Sequence, residues 1–203
     1  MKITVLGATG KTGVEVVKQA LEAGHSVVGV VRSLDGLEGK PNLTFIVGDV
    51  TDPTVIAEAS KDSDVIISTL GTTSMKSTLM ADAVKAVITA SGQTGCKRFI
   101  LLSSFIVKPA HLKGVVRLAG GMMRGIIDDK STSEDLIRTS GLDWTIVYAA
   151  RLTTQPKGSG SRVLLEAEKI GLGAKIGRAD VAAYMLAEAM NNAYVKAEIT
   201  IAQ

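Results

Sequence analysis

The chain is poor in the residues that most small-molecule chemistries need. Cys96 is its one cysteine, so no internal disulfide can form and a cysteine metal cluster is excluded. A lone cysteine reads as a small buried side chain rather than a nucleophile. His25 and His111 are the only histidines, and they lie far apart in the chain, so the common zinc spacings are missing and no metal is expected. Aromatic residues make up 3% of the chain, too few for the base-stacking platforms of single-strand nucleic-acid binders. No apolar run reaches the roughly 18 residues of a membrane-spanning helix. The first residues show one lysine and a short apolar run before glycine, unlike a signal peptide, so the cytoplasm is the expected compartment.

What is present is aliphatic and mildly basic. Of 203 residues, 46% are hydrophobic and 21% charged, a globular balance for one domain. The net charge of +3 is spread among mixed signs, which suits an anionic small ligand better than a nucleic acid.

Short β-branched runs alternate with segments of helical spacing. Strands are expected at 3–6, 25–32, 43–47, 64–69, 98–103, 144–147 and 198–201. Helices are expected at 14–23, 75–91 (stopped by Gly92), 131–140 and 179–191. This rhythm predicts a Rossmann-type, doubly wound α/β fold: a parallel sheet between two helical layers, in a single domain. Two stretches break the rhythm, 106–127 and 151–177. Both follow strand ends, where an open α/β sheet places its ligand crevice, and both are expected to be irregular and substrate-facing.

The stretch Leu6-Gly-Ala-Thr-Gly-Lys-Thr-Gly13 sits between the first strand and the first helix. Gly7 allows a tight turn, Gly10 lets backbone approach a pyrophosphate, and Gly13 lets helix and sheet pack closely. Thr9, Lys11 and Thr12 belong to the same turn, whose free N–H groups and helix dipole favour phosphate. A P-loop is excluded, because Lys11-Thr12 precedes the last glycine. The second strand ends in Arg32, about 20 residues past the motif, where an acidic residue would select NAD. A guanidinium there pairs with a 2′-phosphate, worth about 1.5–3 kcal/mol. NADP(H) is therefore expected over NAD(H), with Asp35 and Glu38 as solvated loop charges.

The GxxGxxG spacing resembles the extended short-chain dehydrogenase/reductase superfamily, where GATGxTG is frequent. Gly48-Asp49-Val50, Thr69-Leu-Gly-Thr-Thr73, Leu102-Ser103-Ser104, Ser140-Gly-Leu-Asp-Trp-Thr-Ile-Val147 and Arg178-Ala-Asp-Val-Ala182 resemble further segments of it. The nearest branch is the atypical one, similar to NmrA and to the biliverdin reductase B/flavin reductase group. The resemblance implies that Asp49, with Val50, contacts the adenine, and that Leu70, Gly71 and Ser103 line the cofactor.

The superfamily's YxxxK arrangement is broken. Lys130 sits where its lysine belongs, implying a catalytic and cofactor-binding role, but Ile126 stands four residues earlier. A carbonyl substrate benefits from a positioned acid, whereas a flavin or quinone needs one less. The expected function is hydride transfer from NADPH to such a planar small-molecule acceptor. Ser104 would orient the acceptor or the nicotinamide amide, and Phe105, Met122 and Met123 would offer apolar contact. Lys108 and Arg117 would attract an anionic tail. The alternative is an NmrA-like sensor that binds NADP(H) without turnover.

Overall fold

The computed structural model describes residues 1–71, 74, 77–107, 124–158, 161–164 and 173–203. Among the described residues ten strands and five helices follow one another: β1 (Lys2–Leu6), α1 (Gly13–Glu22), β2 (Ser26–Val31), β3 (Leu43–Val47), α2 (Pro53–Ser60), β4 (Val65–Ser68), α3 (Leu79–Thr94), β5 (Arg98–Ser104), α4 (Arg124–Arg138), β6 (Asp143–Ala149), β7 (Arg151–Thr153), β8 (Arg162–Leu164), β9 (Lys175–Gly177), α5 (Arg178–Asn191) and β10 (Ala197–Ala202). A 3-10 turn at Phe105–Val107 follows β5.

Eight strands form one sheet in the order β3-β2-β1-β4-β5-β6-β10-β8, and β7 pairs with β9 beside it. The order reverses direction between β1 and β4, which opens a crevice beyond their C-terminal ends. Strand alternation sorts the core into two layers. Ile3, Val5, Ile100 and Leu102 point to one face, where Val16, Val181 and Met185 of α1 and α5 cover them. Leu6, Ile66, Phe99 and Leu101 point to the other, against Ile56, Val84, Val87 and Ile137 of α2, α3 and α4. Both faces are buried, so the central strands read as continuous apolar runs.

The doubly wound fold is as expected, with four differences of detail. The sheet is not wholly parallel: β8 runs antiparallel to β10 at one edge. Among the described residues, 151–177 carries three short strands and 124–127 form the first turn of α4. Helix α2 was not anticipated, although Asp52 caps it (Thr54 N–H to Oδ1, 2.8 Å) and Pro53 occupies its first turn. Finally, α3 begins at Leu79 and passes through Gly92 to Thr94. The left-handed residue that ends it is Gly95 (φ +75°), whose N–H closes on the Ser91 carbonyl at 3.0 Å.

The start of α3 is capped from a distance. Its own Thr78 hydroxyl is turned to Asp82 (2.7 Å). The carboxylate of Asp129 on α4 instead accepts the N–H groups of Met80 (3.1 Å) and Ala81 (3.0 Å). A buried anion on a helix N-terminus satisfies orphan donors and opposes the dipole, which locks α4 to α3 at the crevice end of the sheet.

Candidate functional site

Strand β1 delivers Leu6 to the glycine turn at the switch point. Gly7 has φ +81°, and its carbonyl accepts the Gly10 N–H at 2.9 Å. A Cβ on Gly13 would stand 2.0 Å from that same carbonyl oxygen, so the last glycine is required by the turn folding back on itself. A Cβ on Gly10 would meet the oxygen at 3.2 Å, a far milder contact. The Thr69 hydroxyl, just past β4, lies 3.2 Å from the Leu6 carbonyl and 3.3 Å from that of Gly7, and so ties the turn to the neighbouring strand end. Thr12 precedes α1 without a side-chain cap bond, and within the first turn the Val14 N–H closes on the Gly10 carbonyl at 2.9 Å.

Beside this turn lies a crevice of about 530 Å³, in the usual size range of small-molecule sites. Gly7, Thr9 and Gly10 form one wall, Arg32, Asp49 and Val50 another, and Leu70 and Gly71 a third. Eight of the expected cofactor residues thus meet in one cavity, joined by Val30, Val31, Gly48, Thr69 and Leu79. Lys11 and Thr12 belong to the turn without lining the crevice, and Gly13 is buried beneath it. Asp49 is fixed by Thr51, whose N–H and hydroxyl both donate to Oδ1 at 2.8 Å. Those donors, and secondarily the positive Arg32, hold its carboxyl below the usual carboxylate range. Asp35 accepts the Ser33 hydroxyl at 2.9 Å within the loop.

A glycine turn with no room for a Cβ at Gly13, a helix start without a side-chain cap and a cation at the end of β2 together fit a phosphate-bearing dinucleotide. A second pocket of about 540 Å³ lies on the other side of α1, against Val14, Val17, Leu21, Leu37 and Phe45. It is mainly apolar and lacks Arg32.

The acceptor side begins at the end of β5. Ser103 and Ser104 alternate across the sheet. Ser103 is buried, and its hydroxyl donates to Glu134 Oε1 on α4 at 2.6 Å, away from the cofactor crevice. Tyr148, paired with Ser103 across β5 and β6, donates its hydroxyl to Glu134 Oε2 at 2.6 Å. Arg138, one helical turn later, contributes an ion pair to Oε2 at 3.1 Å and reaches Glu198 of β10 at 2.6 Å. Burial and the Glu134 charge push the Tyr148 phenol far above its ordinary range, so it stays neutral and cannot serve as a phenolate base.

Lys130 is one turn before Glu134. Burial lowers its pKa, while Glu134 and Asp129 pull in the opposite direction. Ser104 is half-buried at the strand end. Phe105 is buried against Ile106, Leu164 and Ala174 rather than displayed as a contact surface. Met122, Met123, Lys108 and Arg117 lie outside the described residues. Glu134 escaped sequence reading, since a glutamate in a helix of polar composition looks like a solvated one. Among the described residues no cluster of metal-ligating side chains occurs, and no helix is long and apolar enough to cross a membrane.

A family model described as NAD(P)H-binding matches residues 7–192. A photosystem II assembly factor of Synechocystis sp. is 28% identical over 156 residues, which cover 74% of this chain and 44% of that protein. An uncharacterised chloroplastic protein of Arabidopsis thaliana is 29% identical over 169 residues, 76% of this chain and 60% of its own. The chain thus spans about half the length of these relatives. Among solved structures, a short-chain dehydrogenase/reductase of Veillonella parvula in complex with NADP matches with a TM-score of 0.85 at 16% identity, over 100% of this chain and 94% of the other. An anaerobilin reductase of Escherichia coli O157:H7 matches with a TM-score of 0.80 at 24% identity, over 99% and 96%. At such identities the structural likeness shows the fold.

Proposed function

The chain belongs to the NAD(P)H-binding family, among the atypical short-chain dehydrogenase/reductases, and from that premise we propose that it is an NADPH-dependent reductase acting on a planar conjugated acceptor of the flavin or quinone type. The observation that carries the cofactor half is Arg32, a cation on the crevice wall at the end of β2. In this reading Gly7, Thr9, Gly10 and the first turn of α1, with Lys11 and Thr12, hold the pyrophosphate. Arg32 pairs with the 2′-phosphate. Asp49 and Val50 meet the adenine, and Leu70 and Gly71 line the path toward the acceptor. When bound, reduced nicotinamide supplies hydride.

The acceptor half rests on the missing phenol. Ile126 stands one turn before Lys130, and Tyr148 is bound to Glu134 with its proton held tightly. An electron-poor flavin or quinone tolerates this better than a simple carbonyl, because its proton can come from Lys130 or water. Ser104 orients the acceptor or the nicotinamide amide. That an anaerobilin reductase shares the fold supports a reductase of a similar kind here.

Ile126 also favours a second reading, a redox sensor that binds NADP(H) without turnover. One experiment separates the two. The purified chain is titrated with NADPH and NADH by fluorescence, and then FMN, riboflavin, quinones and anaerobilin are added while nicotinamide absorbance is recorded. NADPH-selective binding with acceptor-dependent oxidation is expected. Selective binding with no oxidation by any acceptor overturns the reductase in favour of the sensor.

A further inference from the structure

Helix α4 carries three charged residues at successive turns on one face: Lys130, Glu134 and Arg138. The height of this ladder in the fold follows from the hydrogen bonds of its neighbours. Asp129 is bonded to Met80 and Ala81, next to Leu79, which lines the cofactor crevice. Five residues on, Glu134 is bonded to Ser103 and Tyr148 near the ends of β5 and β6. Climbing one turn from Glu134 to Lys130 rises about 6 Å toward the crevice. Lys130 directly follows Asp129 and so lies in the part of α4 that meets the start of α3. Glu134 is 1% exposed and engages three partners from three sequence regions.

We propose that Glu134 is a positioning residue for proton transfer: it keeps the Lys130 ammonium charged beside the crevice and fixes the ends of β5 and β6 against α4. The proposal deepens the reductase reading and rests on it for the reaction. Reducing the acceptor takes a hydride from the nicotinamide and one proton. That proton leaves Lys130 Nζ, the N–H bonding pair stays on nitrogen, and the neutral amine regains a proton from water.

The charges around the pair have opposing effects. Asp129 supports the ammonium from α4 itself, but its carboxylate is already engaged by the N–H groups of α3. Arg138 competes for Glu134 and is itself shared with Asp135 and with Glu198 of β10. Ser103 of β5 and Tyr148 of β6 are neutral donors to Glu134. Asp82 and Lys85 of α3 face Asp128 and Asp129 across a separate pocket and form an ion pair with each other at 2.9 Å.

The test reads Lys130 without needing turnover. Trace acetylation of the full chain across the alkaline range, with mass-spectrometric readout of Lys130, gives the midpoint at which its amine becomes neutral. Glu134→Gln should lower that midpoint by about one pH unit or more, since an opposite charge nearby is worth about 1–3 units. Glu134→Asp should restore it. Arg138→Gln should raise it, and this variant decides the matter if Glu134→Gln does not fold. In turnover, Glu134→Gln should move the alkaline limb of kcat to lower pH by the same amount, with KM for NADPH unchanged. A merely structural Glu134 would shift Tm and leave both limb and midpoint in place. Wild-type midpoints in both Glu134→Gln and Arg138→Gln overturn the proposal. Failure of every acceptor would instead sink the reductase reading, with the acetylation midpoint still reporting on Glu134.

Discussion

Two glycines of one motif should fail in different assays when each becomes alanine. In Gly13→Ala the new Cβ would lie 2.0 Å from the Gly7 carbonyl oxygen, 2.8 Å from its carbon and 2.9 Å from the Thr69 hydroxyl. Ordinary contact begins at roughly 3.4 Å, so about 1.4 Å must be found. The obstacle is backbone at the end of a central strand, so the first turn of α1 has to swing outward. Overpacking of this kind costs about 1–3 kcal/mol and occasionally more, and the size of the overlap argues for the upper end. In a chain of this length that is a fall in Tm of roughly 6–12 °C, since each kcal/mol shifts it by about 2–4 °C.

Gly10→Ala differs. Its Cβ would meet only the Gly7 oxygen, at 3.2 Å, and its φ is not in the left-handed region, so the fold gives by a few tenths of an ångström. But Gly10 lines the crevice, where a methyl group would occupy the space for a phosphate. Thermal melts without ligand should separate the two: Gly13→Ala melts well below the wild type, Gly10→Ala close to it. NADPH titration should reverse the order of severity, with Gly10→Ala losing about ten-fold or more in affinity despite its intact fold, the equivalent of about 1.4 kcal/mol. Unchanged stability in Gly13→Ala, or wild-type affinity in Gly10→Ala, would refute the division of labour argued here.

Arg32→Asp removes the proposed 2′-phosphate contact and should weaken NADPH binding by about ten- to hundred-fold while NADH binding holds or improves, measured by paired fluorescence titrations. Unaltered NADPH affinity would remove Arg32 as selector. Asp129→Ala deletes the distant cap of α3 and should lower stability by about 1–2 kcal/mol in urea unfolding, with Asp129→Asn recovering part of it; no loss would mean that water satisfies Met80 and Ala81 equally well.

The parts legible in the sequence share a short physical range. The glycine turn was readable because Gly7, Gly10 and Gly13 sit within one strand–turn–helix unit, where backbone sterics act between near neighbours. Helix α2 carries an equally local signal, the Asp52 cap followed by Pro53 in its first turn. The end of α3 was misplaced at Gly92 because both Gly92 and Gly95 are candidate stops. Only the hydrogen-bond closure at Gly95 distinguishes them.

The sequence by itself determined the alternation of strand and helix, hence the doubly wound sheet, and the glycine turn with a cation at the end of β2. Periodicity and local backbone geometry dictate those features within a few residues. Only the tertiary structure decided what lies across from α4. It brought Ser103 and Tyr148 onto one carboxylate from segments 31 residues before it and 14 after it. It also set Asp129 on the α3 helix end, 49 residues away from Met80. A glutamate one turn from a lysine has the same local sequence on a solvated helix as in a core. Burial makes the difference, because desolvation obliges each charge to find a partner, and partners come from wherever the sheet order places them.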